Sequence, residues 1–109
     1  MSETLRKVQE LARRKLLRIS GHGYDELAAD GLLAGEVIDG LEAAVVVEDY
    51  PAYPKGPCVL VLQKDAAGRA VHALWGIAAG KSEPAVLITA YRPDPAKWEP
   101  DYLRRRGQP

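Results

Sequence analysis

Two histidines, one tyrosine and one arginine are the residues of this sequence best suited to proton transfer and phosphate binding. Histidine gains and loses protons near neutral pH, and the chain contains only His22 and His72. Tyr91 and Arg92 follow each other at the end of an apolar run. Metal-free cleavage of RNA needs a base for the 2′-hydroxyl, an acid for the leaving oxygen and a cation for the phosphate. His72, Tyr91 and Arg92 could fill these catalytic roles, and His22 is a further catalytic candidate.

The two histidines also have a purely structural interpretation. His22 lies between two glycines, where its ring could hydrogen-bond the backbone as the chain turns into a helix. His72 has apolar neighbours on both sides, so it could be a half-buried strand residue. Because side chains alternate between the faces of a strand, we expect those neighbours to face the core. His72 should then be at least partly accessible on the other face, where Tyr91 and Arg92 could join it in one exposed patch.

The candidate ligands for a metal ion or a cofactor are few. His22 and Glu26 are four residues apart and would share a face if a helix began early. Two ligands without a clear third are a weak signal for a metal site, and there is no glycine-rich loop to cradle a phosphate. The lone Cys58 excludes an internal disulfide, and its apolar neighbours predict a buried thiol. We therefore predict neither a metal nor a cofactor.

Length and composition are those of one ordinary globular domain. The chain has 109 residues, of which 47% are hydrophobic and 28% charged, so it can bury a single core. No apolar run approaches the roughly 20 residues that a membrane-spanning helix needs. The first residues lack the apolar stretch of a secretory signal. We expect a single domain over residues 1–109 in the reducing cytoplasm, with no membrane association.

Charge is unevenly spread along a chain whose net charge is zero. Residues 1–18 carry a net charge of +4, residues 92–109 carry +2, and the residues between them carry −6. Basic ends on an acidic body could hold an acidic partner, or could simply be solvated faces. The neutral total favours an interaction with protein over one with RNA.

The strands are predicted from apolar runs bounded by proline and glycine. Ala85–Tyr91 is apolar on both faces and ends just before Pro93, so we expect a central or near-central strand that is covered on both sides. Three other strands are expected at residues 44–50, 58–63 and 71–77. Short connections favour antiparallel pairing of these four strands.

Helices are expected mainly before the strands, at residues 3–17, 24–30 and 34–41. The glycines on either side of His22 should interrupt any helix, and residues 17–20 could form a short extended piece. A short C-terminal helix is expected within residues 94–106, folded back over a sheet edge. The sequence therefore predicts an α+β domain, with N-terminal helices packed on one antiparallel sheet of about four strands.

Two segments place tyrosines beside prolines. They are Asp-Tyr-Pro-Ala-Tyr-Pro at residues 49–54 and Tyr-Arg-Pro-Asp-Pro at residues 91–95. Such segments can stack nucleic-acid bases or bind a peptide. They can also be rigid corners that pack tyrosines over a sheet edge, and this is the interpretation we favour.

Six short pieces of the sequence, taken in order, match the pattern of a known family. They are Ile19-Ser-Gly-His22, Val47-Glu-Asp-Tyr-Pro51, Gly56-Pro-Cys-Val-Leu-Val-Leu62, Gly68-Arg-Ala-Val-His72, Ile88-Thr-Ala-Tyr-Arg-Pro93 and Pro95-Ala-Lys-Trp98. In this order the pieces resemble the bacterial family known as domain of unknown function 4258 (DUF4258). The resemblance covers residues 19–106, about four fifths of the chain, and leaves the N-terminal helix outside.

The resemblance implies a function connected with RNA. The family has no established activity, and it is similar to small bacterial toxins of the RelE and BrnT kind, which place helices against an antiparallel sheet and cut or block RNA on the ribosome. It therefore implies a toxin-type protein, with RNA or the ribosome and an antitoxin-like protein as partners, and with metal-independent ribonuclease activity as the enzymatic form. His22 and His72 both fall on family motif positions. Family members often carry an arginine where this chain has Asp30, so a phosphate-binding role there would be absent.

The alternative is a non-catalytic protein–protein interaction domain. Its sheet edge or its basic N-terminal helix would dock a protein partner. The two motif histidines favour the RNA-directed function, whereas Asp30 and the neutral net charge favour the interaction domain.

Overall fold

The computed structural model describes residues 2–107, so that Met1, Gln108 and Pro109, at the two ends of the predicted domain, lie outside the described residues. The elements are α1 (Glu3–Arg13), β1 (Leu17–Ile19), α2 (Gly21–Ala29), α3 (Ala34–Gly40), a 3-10 turn (Leu41–Ala43), β2 (Val45–Tyr50), β3 (Cys58–Lys64), β4 (Ala70–Gly76) and β5 (Ala85–Tyr91). This order confirms the predicted α+β class. Within residues 2–107, no helix has both the length and the hydropathy needed to cross a membrane.

The strands form one mixed sheet in the order β1-β5-β4-β3-β2. β2 to β5 are antiparallel neighbours close to their predicted positions, whereas β1 pairs in parallel with β5. The prediction of about four antiparallel strands is therefore corrected to five strands in a mixed sheet. β1 spans only three residues, Leu17–Ile19. A piece this short shows no alternation in the sequence, and only its pairing with β5 makes it a strand.

β5 is paired on both sides, but it lies second from the edge, and β4 is the middle strand. Its inward side chains, such as Leu87, are fully buried, while Val86 and Ile88 on the other face are half-buried. The apolar character of both faces therefore has two causes. One face meets the helices, and the other borders a groove that is described below.

The helix limits differ from the predictions at two places. α1 ends at Arg13 rather than at residue 17, because Lys15 adopts a left-handed φ of 59° and turns the chain toward β1. α2 begins at Gly21, so the prediction that the glycines around His22 would interrupt the helix was wrong. The hydroxyl of Ser20 caps this helix by accepting from the Gly23 N–H at 2.9 Å.

The helices cover one face of the sheet and enclose the core. Along β4, Val71, Ala73 and Trp75 point to the helices and are almost completely buried, as the alternation predicted. Gln63 is buried among them. Its amide donates to the Val37 carbonyl of α3 at 2.7 Å and accepts from the Trp75 indole N–H at 2.9 Å. One polar side chain thus ties α3 to the two central strands.

Residues 94–107, called the C-terminal strap below, form turns and an isolated bridge instead of the predicted short helix. Pro100 removes a backbone donor from the middle of the segment, and Tyr102 has a left-handed φ of 59°, so a continuous helix cannot form. The strap lies over the sheet face opposite the helices rather than over a sheet edge, because Trp98 packs against His72 of β4.

Replacing Gln63 by methionine tests the buried polar link. The substitution leaves the Trp75 N–H and the Val37 carbonyl without their partner, and each buried group left unsatisfied costs about 1–3 kcal/mol. Gln63→Met should therefore lower the free energy of unfolding by roughly 2–6 kcal/mol in a urea titration. Gln9→Met is the matched control, because Gln9 also donates to backbone carbonyls, but at a more exposed position where water can replace it. Equal losses in both variants would contradict the role given to Gln63.

Candidate functional site

His72 is fully buried, so the prediction that it would be partly accessible was wrong. Both ring nitrogens have partners: Nε2 lies 2.8 Å from the backbone carbonyl of Tyr102, and Nδ1 lies 3.3 Å from the hydroxyl of Tyr91. A carbonyl oxygen can only accept, which places the proton on Nε2 and leaves Nδ1 to accept from the tyrosine. The imidazole is therefore held in one neutral tautomer.

The C-terminal strap is what buries the ring. Trp98, only 3% exposed, stands edge-on to His72 with ring centroids 4.4 Å apart. Arg105 covers the outer face of Trp98 at 4.7 Å and forms an ion pair of 3.0 Å with Glu48 of β2. Sequence alternation placed His72 correctly on the face away from the helices. It could not show that a later, irregular segment closes over that face.

Burial also sets the ionisation of this cluster. It lowers the pKa of His72, although the hydrogen bond to the Tyr102 carbonyl works in the opposite direction. Burial likewise raises the pKa of Tyr91. The pair is therefore neutral near pH 7, and its hydrogen-bonding atoms are directed at each other and at the strap. This is the arrangement of a structural histidine rather than of an accessible general base.

Arg92 does not join the other predicted catalytic residues. Its guanidinium donates to Asp65 at 2.6 Å and to the Ala70 carbonyl at 3.3 Å, at the hairpin between β3 and β4. Its backbone N–H donates to the carboxylate of Asp30 at 2.7 Å. Within residues 2–107, no hydrogen bond joins Arg92 to His72. The predicted trio thus resolves into a His72–Tyr91 pair and a separate ion pair at the hairpin, and Asp30 fixes the end of β5.

His22 lies in the first turn of α2, and its side chain is 65% exposed. Its Nε2 is 3.5 Å from Glu26, the neighbour on the same helical face. Within the described part of the chain, no group of three or more histidine, cysteine, aspartate and glutamate side chains could hold a metal ion. The structure gives His22 no link to His72, so the two motif histidines do not form one site.

A groove on the sheet face away from the helices is the site that sequence reasoning missed. One row of cross-strand partners runs across all five strands and lines it, in the order Arg18, Val86, Gly76, Cys58 and Tyr50. The three central members are small, with a cation at one end and a tyrosine at the other. The result is a hollow of about 550 Å³.

The rest of the groove consists of an apolar floor and a side wall formed by a loop. Leu74 and Ile88 extend the floor, while Tyr53 and Lys55 come from the loop between β2 and β3. The floor leaves little room at Gly76, because a Cβ there would lie 3.0 Å from the end of the Ile88 side chain and 3.1 Å from the Pro57 carbonyl.

Cys58 forms part of this floor and is 6% exposed, which confirms the predicted buried thiol. Burial raises its pKa, with a further contribution from the negative charge of Asp49. The thiol is therefore protonated near neutral pH and contributes apolar surface rather than a nucleophile.

Two cations, Arg18 and Lys55, line the groove, and further cations line a neighbouring hollow. A second hollow, of about 340 Å³, adjoins it at Pro57 and Ile77. Six exposed basic side chains line the two hollows, and one of them, Arg6, is paired with Glu3 and Glu10. The other five are called the basic strip: Lys7, Arg14, Arg18, Lys55 and Lys81. Within residues 2–107, none of the five takes part in an ion pair. The tyrosine–proline segment and the basic N-terminal helix were the sequence signals for this site, but only strand register brings them together.

Comparison with family models assigns the chain to a known family, and the match covers most of the sheet. The family model described as domain of unknown function (DUF4258) matches residues 19–92. The chain therefore belongs to the DUF4258 family, as its sequence motifs indicated. The match ends before the C-terminal strap, whereas the resemblance was expected to reach residue 106. Comparison with curated proteins and with solved structures found no match.

Trp98→Ala tests whether the strap is part of the folded body. Removing a buried tryptophan costs about 3–5 kcal/mol, so the variant should melt several degrees below the wild type. Tyr24→Ala is a suitable control, because Tyr24 is 58% exposed and its loss should change the melting temperature little. Equal melting temperatures for Trp98→Ala and wild type would mean that the strap is not anchored.

The lowered pKa of His72 predicts a dependence of stability on pH. The unfolded chain binds the imidazole proton more readily than the folded protein does. Stability should therefore be highest above the ordinary histidine pKa of about 6.5 and fall as the pH drops below it. In His22→Gln, where His72 is the remaining histidine, urea unfolding should give a smaller free energy at about pH 5.5 than at about pH 7.5. Equal values at the two pH values would contradict the buried neutral imidazole.

Proposed function

We propose that this domain binds single-stranded RNA on the surface formed by the groove and the basic strip, and that it does so without cutting the RNA through His72. One observation carries the proposal: two cations, Arg18 and Lys55, line an apolar, tyrosine-lined hollow, and three more line the hollow that adjoins it. Within residues 2–107, none of the five takes part in an ion pair. Single-stranded nucleic acid offers the matching chemistry, since cations follow its phosphates and aromatic rings stack on its bases.

The local electrostatics support an anionic partner although the net charge of the chain is zero. Within the described residues, no carboxylate lines the groove. The carboxylate in the adjoining hollow is Glu10, and Arg6 lies 3.7 Å from it while also pairing with Glu3. Arg6 therefore offsets part of the negative charge of this surface. The basic strip gives the surface a positive field that the sequence total conceals.

The same geometry argues against the proposed ribonuclease mechanism. His72 has both ring nitrogens engaged beneath the strap, and the guanidinium of Arg92 is paired with Asp65. A base, an acid and a cation are thus not presented together on an accessible surface, as metal-free cleavage requires. Kinship with toxins of the RelE and BrnT kind stays a prediction. It favours RNA or the ribosome as the partner, and a protein that only blocks RNA needs no catalytic histidine.

A protein partner is the second candidate, and β2 is the observation that favours it. β2 is an edge strand of the sheet, and Val45 at its start is 51% exposed. An open edge can accept a strand from another chain, such as an antitoxin-like protein. This alternative predicts that binding depends on β2 and is insensitive to charge changes in the basic strip.

Binding of a labelled single-stranded RNA of about 12 nucleotides tests the proposal. The wild type should bind more weakly as salt rises, because phosphate contacts release counterions. Lys55→Glu combined with Lys81→Glu should weaken binding roughly tenfold or more. The RNA should be recovered intact from the wild-type complex.

The matched control reverses two other exposed cations, Lys64 and Arg69, at the opposite end of the β3–β4 hairpin. Lys64→Glu combined with Arg69→Glu changes the net charge by the same amount and should bind RNA nearly as well as the wild type. If both double variants weakened RNA binding equally, the effect would come from net charge alone, and the basic strip would not be the binding surface. Cleaved RNA whose appearance depends on His72 would overturn the non-catalytic assignment.

A further inference from the structure

We infer that the groove is a nucleotide site, which holds the base and ribose of one nucleotide against Tyr50 and Tyr53 and its phosphate at Arg18 and Lys55. The inference rests on the proposed function when the nucleotide belongs to RNA. The same chemistry also fits a free mononucleotide, and the experiment below separates the two sources.

The groove exists because strand register places residues with small side chains next to one another. Val86, Gly76 and Cys58 are adjacent in one cross-strand row, so three small residues lie side by side where long side chains would otherwise fill the face. The hollow of about 550 Å³ is larger than a phosphate or a metal ion requires. It falls within the range of about 300–1,000 Å³ that is usual for small-molecule sites.

The tyrosines give the hollow an aromatic wall. Tyr50 is 39% and Tyr53 is 51% exposed, so both rings retain surface that a ligand could cover. Tyr53 lies in a rigid loop between Pro51 and Pro54, and its carbonyl accepts from the Gly56 N–H at 2.9 Å. A fixed loop presents its ring with little further loss of entropy on binding. Stacking of a planar base is the contact such a wall favours.

Arg18 and Lys55 are the cations that would bind the phosphate of the nucleotide. Arg18 projects from β1 at one end of the row, and Lys55 comes from the loop that carries Tyr53. Within the described lining, no carboxylate competes for either charge. A ligand with an apolar planar body and a negatively charged group satisfies both halves of the hollow, and a nucleotide has this composition.

The lining also predicts how selective the site is. Within residues 2–107, the polar side chains that line the hollow are two tyrosines, one arginine, one lysine and one buried cysteine. There is no amide or carboxylate to read the hydrogen-bonding edge of a base. The site should therefore accept different bases and discriminate mainly through stacking area, with purines preferred over pyrimidines.

Calorimetric titration with four probes tests the assignment: AMP, CMP, adenosine and ribose 5-phosphate. AMP should bind most tightly and CMP somewhat more weakly. Adenosine lacks the phosphate and ribose 5-phosphate lacks the base, so each should bind much more weakly than AMP. Equal binding of AMP and ribose 5-phosphate would mean that only a phosphate is held, and would overturn the site.

Four variants locate the binding. Tyr53→Leu should weaken AMP binding roughly 5- to 150-fold, the range expected for loss of one stacked base, while Tyr53→Phe should keep most of the affinity. Val86→Trp should fill the hollow and abolish binding. Arg69→Gln, at the far hairpin, is the control for a substitution outside the groove and should bind AMP like the wild type. Circular dichroism melts confirm that each variant is folded before its affinity is interpreted.

RNA binding by the same variants separates this inference from the proposed function. If Val86→Trp loses AMP and also binds RNA more weakly, the groove holds a nucleotide of the RNA. If AMP binds in the groove but RNA binds no more tightly than AMP, the ligand is a free nucleotide and the RNA function fails alone. If RNA binds through the basic strip while AMP does not bind and Val86→Trp has no effect, the groove assignment fails alone.

Discussion

The register of the five strands is the constraint on which the rest of this structure depends. β4 is held between β3 and β5, and its side chains alternate between two very different environments. Val71, Ala73 and Trp75 enter the core beneath the helices, while His72 and Gly76 point to the other face. A shift of one residue would exchange these two sets, turning His72 toward the helices and removing Trp75 from the core. The buried Gln63 reinforces this register, because it bonds both to the neighbouring strand and to α3.

The face away from the helices is divided into two halves by the C-terminal strap. At one end, the strap seals His72 by supplying a carbonyl acceptor and a packed tryptophan, Trp98. At the other end, nothing within residues 2–107 covers the hollow around Gly76. A buried polar ring must have its hydrogen bonds satisfied by protein, and His72 has both. The sealed half therefore has its hydrogen bonds satisfied within the protein, and the open half is the surface on which we propose that ligands bind.

The family core and the segments on either side of it contribute differently to the candidate site. Strands β2 to β5 and the tyrosine loop fall inside residues 19–92, the part that matches DUF4258, whereas β1 lies mostly before it. Three members of the basic strip, Lys7, Arg14 and Arg18, come from the preceding residues, and the seal over His72 comes from the strap that follows. If the basic strip binds phosphates as proposed, family members that lack this N-terminal helix should differ in affinity for RNA more than in the shape of the groove.

The sequence by itself determined the secondary-structure class, the four longer strands and the inward face of β4. These features depend on local alternation and on proline and glycine positions, which a single chain segment displays. It also determined that Cys58 is buried and that His72 points away from the helices. Tertiary structure decided the rest, because β1 is too short to show a pattern and the strap has no regular period. Above all, Arg18 and Tyr50 become opposite ends of one row only when five strands pair, and no local pattern contains that information.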